Sequence, residues 1–367
     1  MKKHVVWLTP DYFLDTDVYV IPYLCSYYKI TWYILGAPGK ELPYSESIEE
    51  LSKSRDIKII IKNSASGLFS FSRFRFLWKL VSEIKQETPA LIYSAILNIP
   101  YIPIAALRLP KKKIIFAAHN VNTPIGVKHY RLVKTYSDFT YKFFQHFQTF
   151  SNSQYELFKN RFKKKDVFYA PFILKDYGIP TCRENDKITF LFFGRIRQYK
   201  APDVVIEASQ IVAEKCKIPF KVIIAGECTN WGQYQKLIRN NSIFDLRIYS
   251  IPNCEIPNLF AESHYTLLPY IDIAQSGSLF VGIRYEKPAI LSDLPAFREI
   301  LTDRVNSIFI KPADVGDLVE KMIYVLENHT SVYSKYRTNL SELKKNEYDD
   351  NVIIQRYKQF LDSIMGI

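Results

Sequence analysis

Gly194, Arg195 and Lys200 stand together in LFFGRIRQYKAPDVVIEA, residues 191–208, after an apolar run and before a helix-like one. Their types suit one kind of chemistry. Glycine permits a turn that a Cβ would obstruct. A guanidinium grips phosphate oxygens in a planar fork, and an ammonium attracts them as a point charge. Pro202 opens the next helix, where its missing N–H matters little. Two cations converging at such a turn fit a diphosphate; two solvated cations in a surface loop are the alternative. A second segment, YTLLPYIDIAQSGSLFVGIRYEKPAILSD at 265–293, places Gln275, Ser276, Gly277 and Ser278 at the predicted start of a helix. Free N–H groups and the helix dipole favour an anion there. Gly277 lets a phosphate approach and the serine hydroxyls can donate to it. An ordinary serine N-cap is the reading without a ligand.

These residues need a frame that brings loop ends together. In the first half HVVWLTP (4–10), ITWYILG (30–36), IKIIIK (57–62), ALIYSAI (90–96), KIIFAAHN (113–120) and QTFSNS (148–153) read as strands, with a helix over 129–147. Periodicity is lost around 167–186, which reads as a linker. The pattern then restarts with KITFLFFG (187–194), FKVIIAGE (220–227), LRIYSI (246–251), YTLLPY (265–270), PAILSD (288–293) and SIFIKP (307–312), with helices over 201–215 and 256–264 between them. Strands alternating with helices predict parallel sheets covered on both faces. The expected fold class is α/β, two Rossmann-like domains facing across a cleft. Ligands of such sheets bind beyond the carboxyl ends of the strands, where Arg195 emerges.

Composition narrows the class. The 367 residues are 48% hydrophobic and 23% charged, enough for two cores. The cysteines Cys25, Cys182, Cys216, Cys228 and Cys254 form no CxxC pair, which argues against a disulfide framework or zinc site and for a reducing cytoplasm. The first apolar run is too short for a signal peptide, and no run approaches a membrane span. Charge is uneven: residues 1–180 hold 26 Lys+Arg and 14 Asp+Glu, the remainder 23 of each. The basic half includes FSRFRFLWKLVSEIK (Arg73, Arg75, Lys79), a stretch with Lys128, Arg131 and Lys134 three apart, and KNRFKKK at 159–165. Cations beside aromatics suit an anionic membrane surface; a solvated basic face is the alternative. No recognition module for nucleic acid accompanies them, so no nucleic-acid partner is expected.

The ordered series FFGRIRQYK, VIIAGE, YSIPNCEIPNLFAESHYTLLPY, QSGSL, KPAILSDLPAFREIL and FIKPADVGDLVEKM resembles the second domain of GT-B glycosyltransferases of family 4. AAHN and FSNSQYELF resemble the end of their acceptor domain. The resemblance implies a retaining, metal-independent enzyme with a nucleotide-diphosphate sugar as donor and a glycan or lipid-linked glycan as acceptor. The expected context is bacterial surface polysaccharide assembly, such as lipopolysaccharide or capsule, at the inner face of the cytoplasmic membrane. The implied division is an acceptor domain at 1–175, a linker at 176–186, a donor domain at 187–345, and a terminal helix at 346–367 crossing back to the first domain. Arg195 and Lys200 would hold the diphosphate and stabilise its departing charge. Gly194, Gln275, Ser276, Gly277 and Ser278 would surround the phosphates, and Tyr249, Ser250 and Ile251 would meet the base. Glu227 lies at the same edge, as a donor contact or a surface carboxylate. His119 would lie near the transferred sugar, assisted by Asn120, without serving as general base.

Two departures qualify this. Ala274 and Gly282 stand where the resemblance carries glutamates that contact sugar and ribose; Asp272 or Gln275 is the candidate substitute for the first. The amino-terminal loop lacks paired glycines and offers Asp15 and Asp17, as acceptor ligands or as caps of the next helix. A non-catalytic binding or scaffold protein of the same fold is therefore the competing expectation.

Overall fold

The computed structural model describes residues 2–37, 39, 42–63, 70–97, 101–122, 130–273 and 276–367, and the chain divides into two compact units. The first comprises Met1–Ile173 with Asp350–Ile367, the second Leu174–Asp349.

Unit 1 is built on seven parallel strands: β1 (His4–Pro10), β2 (Lys29–Gly36), β3 (Ile57–Asn63), β4 (Leu91–Ser94), β5 (Ile114–Ala117), β6 (His146–Thr149) and β7 (Asp166–Tyr169), in the order β3-β2-β1-β4-β5-β6-β7. Alternate residues of β1 feed two cores, as strand geometry demands. Val5 and Trp7 pack on one face with the helices Leu14–Leu24 and Asp350–Met365; Val6 and Leu8 pack on the other with Phe71–Gln86. Seventh-strand residues 166–169 lie partly inside the stretch expected as linker. Their aromatic and β-branched types pair with β6, and the turn signals begin only beyond them. The expected helix over 129–147 ends at Phe143, because His146 onward is strand β6.

The terminal helix Asp350–Met365 belongs to unit 1. Ile353, Ile354, Tyr357 and Leu361 repeat every three to four residues and are all buried. Tyr93 donates its hydroxyl to Gln148 Oε1 at 2.6 Å, and Gln148 Nε2 donates to the Tyr357 hydroxyl at 2.6 Å. Tyr28 and Tyr23 donate to Asp362 and Asp350 at 2.7 and 2.6 Å.

Unit 2 repeats the plan with six parallel strands: β8 (Ile188–Phe193), β9 (Phe220–Ala225), β10 (Phe244–Arg247), β11 (Tyr265–Leu268), β12 (Ala289–Ser292) and β13 (Ser307–Ile310), ordered β10-β9-β8-β11-β12-β13. The strand expected at 246–251 sits two residues earlier, ending at Arg247, which ion-pairs with Asp245 and Glu262. Residues 176–186 are tied down within this unit: Asp176 pairs with Arg284, and Glu184 with the buried Lys287 at 2.8 Å. All five cysteines are free. Among the described residues no helix is long and apolar enough to cross a membrane.

Tyr357 measures what the terminal helix contributes. Tyr357→Phe leaves the Gln148 amide donor without its acceptor, at a cost of about 1–3 kcal/mol. Tyr357→Ala adds a cavity, for about 3–5 kcal/mol in total. Denaturant unfolding followed by a unit 1 probe checks both; equal stability of all three proteins would mean the helix contributes nothing there.

Candidate functional site

In both sheets the strand order reverses beside the first strand, which makes the loops after β1 and β4, and after β8 and β11, the topological switch points. In unit 2 that places two loops side by side: the one leaving Phe193 and the one leaving Leu268. Hydrogen bonding ties them, since Ile271 N–H donates to the Tyr199 carbonyl at 2.8 Å.

The first loop turns at Gly194, whose φ of +99° falls in the region that favours glycine. A Cβ there would lie 2.8 Å from Ser278 Oγ and 3.1 Å from Lys200 Nζ, so the missing side chain leaves room for both. Gly226, after β9, is tighter still: φ is +149° and a Cβ would stand 2.1 Å from the Gly194 carbonyl oxygen. The two glycines let three chain segments meet. A short 3₁₀ turn, Gln198–Lys200, and the left-handed Ala201 then aim Lys200 inward before the helix Pro202–Lys215.

Lys200 is only 8% exposed. Its ammonium lies 5.3 Å from the centre of the Tyr270 ring and donates to Ser278 Oγ at 3.4 Å. Among the described residues it has no carboxylate within ion-pair distance. Burial pushes its pKa down to about 8. Charged in a folded chain at pH 7, it opposes folding by about 3 kcal/mol. Since this pKa is lowered, the penalty fades as pH rises from about 8 toward the ordinary lysine value. An anion would supply the missing counter-charge.

The helix Gly277–Arg284 begins beside this cation. Ser276 is its N-cap, its Oγ accepting from Leu279 N–H at 3.2 Å, and Ser278 Oγ donates to the Phe193 carbonyl at 2.8 Å. The Ser278 hydroxyl proton is thus committed within the protein, Ser276 acts as an acceptor cap, and the backbone N–H groups of the helix start remain for a ligand. Gly277 is suited to that: a Cβ there would meet nothing within 4 Å. Gln275 and Ala274 lie outside the described residues. Gly282 is buried, a Cβ there lying 3.6 Å from the Lys287 carbonyl, so this position offers no carboxylate.

Arg195 leaves the same turn but points to solvent, its Nε 3.4 Å from Glu227 Oε2. Sequence reasoning treated these two separately; the structure pairs them, with Ile196 N–H also donating to the Glu227 carbonyl. Tyr249 and Ser250 are exposed beyond β10, and the Tyr249 hydroxyl donates to Glu255. Ile251 is partly buried against a small apolar cluster. Two residues were missed. Gly226 was visible as the lone glycine ending VIIAG. Tyr270 gave no sequence signal beyond its place in a strand-like run; its hydroxyl is buried beside Ser276 and Ser278, and burial raises its pKa to about 12.

In unit 1, His119 follows β5 and reaches the switch point. Its Nε2–H donates to the Ala95 carbonyl, after β4, at 3.3 Å. Its ring meets Phe13, after β1, edge-on at 4.3 Å and stacks on Phe150 at 4.9 Å. Burial pushes its pKa down to about 4, so the imidazole is neutral at pH 7 with Nδ1 as acceptor. Asn120, next to it, is exposed.

The cap reading of Asp15 and Asp17 requires correction, as does the acceptor reading of Asp17. The helix Leu14–Leu24 has Phe13 as N-cap with no side-chain cap bond, and both carboxyls fall in its first turn. Asp17 is fully buried, its Oδ2 accepting from Thr9 Oγ1 at 2.6 Å, so it neither caps nor meets an acceptor. A small carboxyl on the inward face of a first turn looks the same in sequence as a cap.

With this geometry established, comparison with known proteins shows what the chain is similar to. Residues 180–347 match the family model described as Glycosyl transferases group 1. The match covers most of unit 2, which is thus similar to the group 1 type, and the glycine–lysine turn lies inside the matched segment. A sequence search finds no match among curated proteins. Solved structures match over nearly the whole chain. A glycosyltransferase from Rickettsia africae superposes with TM-score 0.75 at 16% identity, covering 99% of each chain. Anabaena Alr3699/HepE, in complex with UDP and glucose, gives 0.69 at 14% identity over 98% of this chain and 100% of its own. The lipopolysaccharide outer core galactosyltransferase WaaB gives 0.69 at 13% identity over 98% and 99%. At these identities the likeness shows the fold, the two Rossmann-like domains of GT-B proteins.

Asp17 makes a pH prediction. Burial raises its pKa from 3.8 to about 7, so between these values the folded chain holds a proton that the unfolded chain has released. Stability therefore falls as pH rises from about 4 to about 7, by roughly 4 kcal/mol in all. Asp17→Asn removes that dependence. Thermal unfolding of both proteins between pH 4.5 and 8 should show curves that diverge with pH, the variant more stable above pH 7; parallel curves would contradict an uncharged Asp17.

Proposed function

We propose that this chain is a retaining, family 4-type glycosyltransferase that moves a sugar from a nucleotide-diphosphate sugar to a glycan or lipid-linked glycan acceptor, in bacterial surface polysaccharide assembly at the inner face of the cytoplasmic membrane. The observation that carries the reading is the buried Lys200 ammonium, without a carboxylate, at the switch point of a group 1-type domain. A diphosphate lying between Lys200 and the backbone at Gly277 would meet a cation, a helix dipole and unhindered N–H groups together. Arg195, on its exposed tether, would close over the same phosphates once drawn from Glu227.

The chemistry then rests on leaving-group stabilisation. The bond between the anomeric carbon and the β-phosphate oxygen breaks, and the acceptor oxygen bonds the same carbon. The acceptor proton passes to the β-phosphate oxygen. Lys200 and Arg195 offset the charge that gathers on the departing diphosphate. Tyr249, Ser250 and Ile251 would meet the base. His119, neutral at pH 7, would orient a hydroxyl through Nδ1 and has no proton to give. No step requires a metal. UDP is the first nucleotide to test, given the complex of Anabaena HepE.

One observation favours a second reading. Gly282 offers no carboxylate to a ribose, so a protein that binds a nucleotide diphosphate without turnover is the competitor.

Thermal stabilisation and donor hydrolysis across UDP-, GDP-, ADP- and CMP-sugars separate these. The wild type should shift with one nucleotide class and release sugar slowly. Lys200→Met should melt no lower than wild type without donor, having shed a buried charge, yet lose at least about tenfold in donor affinity. Arg195→Ala should weaken binding less. Wild-type affinity should fall as pH rises past about 8, where Lys200 loses its proton. A shift with no release, even with glycan acceptors, would leave the binding protein; no shift with any donor would contradict both readings.

A further inference from the structure

The sheet of unit 1 separates two helical layers of opposite charge. On one face lie the helices Leu14–Leu24, Ser45–Ser52 and Asp350–Met365, which together hold two Lys+Arg and seven Asp+Glu. On the other lie Phe71–Gln86, Ile102–Ala106, Tyr130–Phe143 and Asn152–Arg161, with nine Lys+Arg and three Asp+Glu. About half of the excess of cations in the first half of the sequence thus lies in the helices of one face.

The same face carries exposed apolar side chains. Phe71, Trp78, Ile104 and Phe143 are 74%, 40%, 37% and 37% exposed, and all four belong to the basic layer. On the acidic layer's helices the exposed large apolar side chain is Tyr23, a hydroxyl-bearing one. Helix Phe71–Gln86 organises the basic layer. Leu77, Leu80, Val81 and Ile84 face the core. Phe71, Phe74 and Trp78, three and four residues apart, form an outer stripe with ring centres 6.2 and 5.4 Å apart. Arg75 and Lys79 are exposed beside the stripe. Cations also lie over the exposed rings: Arg108 is 4.0 Å from the centre of Trp78, and Lys111 and Lys142 are 5.5 and 5.6 Å from that of Phe143.

We propose that this basic helical layer docks on an anionic lipid bilayer, Phe71, Trp78 and Phe143 entering the headgroup boundary while Arg75, Lys79 and Lys142 meet lipid phosphates. Charge on one side of a sheet, with aromatic and aliphatic side chains exposed among the cations, fits an interface that is anionic outside and apolar a few ångströms in. A nucleic acid would use the charge but has no need of Ile104 or Phe143. Binding itself does not depend on the transferase reading. Its use does: the stripe starts at Phe71, at the carboxyl edge of the strands, where a lipid-linked acceptor would have to arrive. Glu87, just past the other end of that helix, bonds Tyr33 and lies by His4 at the opposite edge.

The test is flotation of the full chain with vesicles, in the absence of any nucleotide sugar. The wild type should float with equimolar phosphatidylglycerol and phosphatidylcholine and stay behind with phosphatidylcholine alone, and salt should release it. Arg75→Glu/Lys79→Glu/Lys142→Glu should lower the bound fraction at least about tenfold. Lys217→Glu/Lys236→Glu/Lys345→Glu, the same charge change on exposed sites of unit 2, should alter it less than about twofold. Phe71→Ser/Trp78→Ser should weaken binding while leaving its salt dependence. Melting temperatures confirm folding, and the corresponding glutamine triple on the basic layer replaces the glutamate one if that fails to fold. No binding to anionic vesicles, or equal losses in both charge triples, would overturn the proposal. So would tighter binding to a single-stranded RNA of mixed sequence that the serine double leaves intact. Failure of the donor assays with vesicle binding preserved would strike the transferase reading alone.

Discussion

A lysine ammonium packed against the Tyr270 ring, with no carboxylate beside it among the described residues, sets the terms for the switch-point edge of unit 2. Burying that charge opposes folding, so the surrounding structure has to hold it in place by other means. Gly194 and Gly226 do so by letting β8, β9 and the turn between Gly194 and Lys200 approach more closely than any side chain would permit. Ser278 helps from the other side, bonding the Phe193 carbonyl and receiving Lys200. The result is a preorganised positive site. On the proposed function, what the fold loses in stability at this point would be recovered when an anion arrives, the usual relation between strain at a site and its use.

Unit 1 has the same strand order around β1 but a different switch point. There the loops after β1, β4 and β5 bring together Phe13, Ala95 and His119, an aromatic and neutral arrangement without a buried cation among the described residues. Beneath it Asp17 is held by Thr9 inside the core, and Trp32 donates to the same threonine. One topology therefore carries two kinds of edge: unit 2 presents a buried cation, and unit 1 a neutral hydrogen-bonding ring. The terminal helix extends the unit 1 core through Tyr357, and its acidic ends lie on the face opposite the basic layer. A division of labour between a diphosphate and an uncharged acceptor accords with that difference.

Much of this was legible in the sequence because its signals are local. Short β-branched and aromatic runs gave β1 and β8 nearly to the residue, since strands covered on both faces must be apolar throughout. Gly194 followed by Lys200 before Pro202 announced a turn into a helix. What was not legible depends on partners distant in sequence. β7 hid within a Pro- and charge-rich stretch because its pairing with β6 is a tertiary fact. Asp17 looked like a cap, since nothing nearby in sequence reveals that Thr9 and two tryptophans surround it. Tyr270 looked like strand, although its ring covers Lys200 across 70 residues. Ser276 and Ser278 were read as ligand donors, whereas Ser278 gives its proton to the Phe193 carbonyl and Ser276 accepts from the helix as its N-cap.

The ionisation of Lys200 decides between a structural and a functional cation most directly. Its side chain can be followed by NMR of lysine-labelled protein, assigned with Lys200→Met, through a pH titration with and without UDP. The account predicts a pKa near 8 in the free protein, and a clear rise on adding the nucleoside diphosphate but not the nucleoside, as a bound anion restores the missing counter-charge. A Lys200 that titrates like a solvated lysine, unmoved by any nucleoside diphosphate, would contradict it.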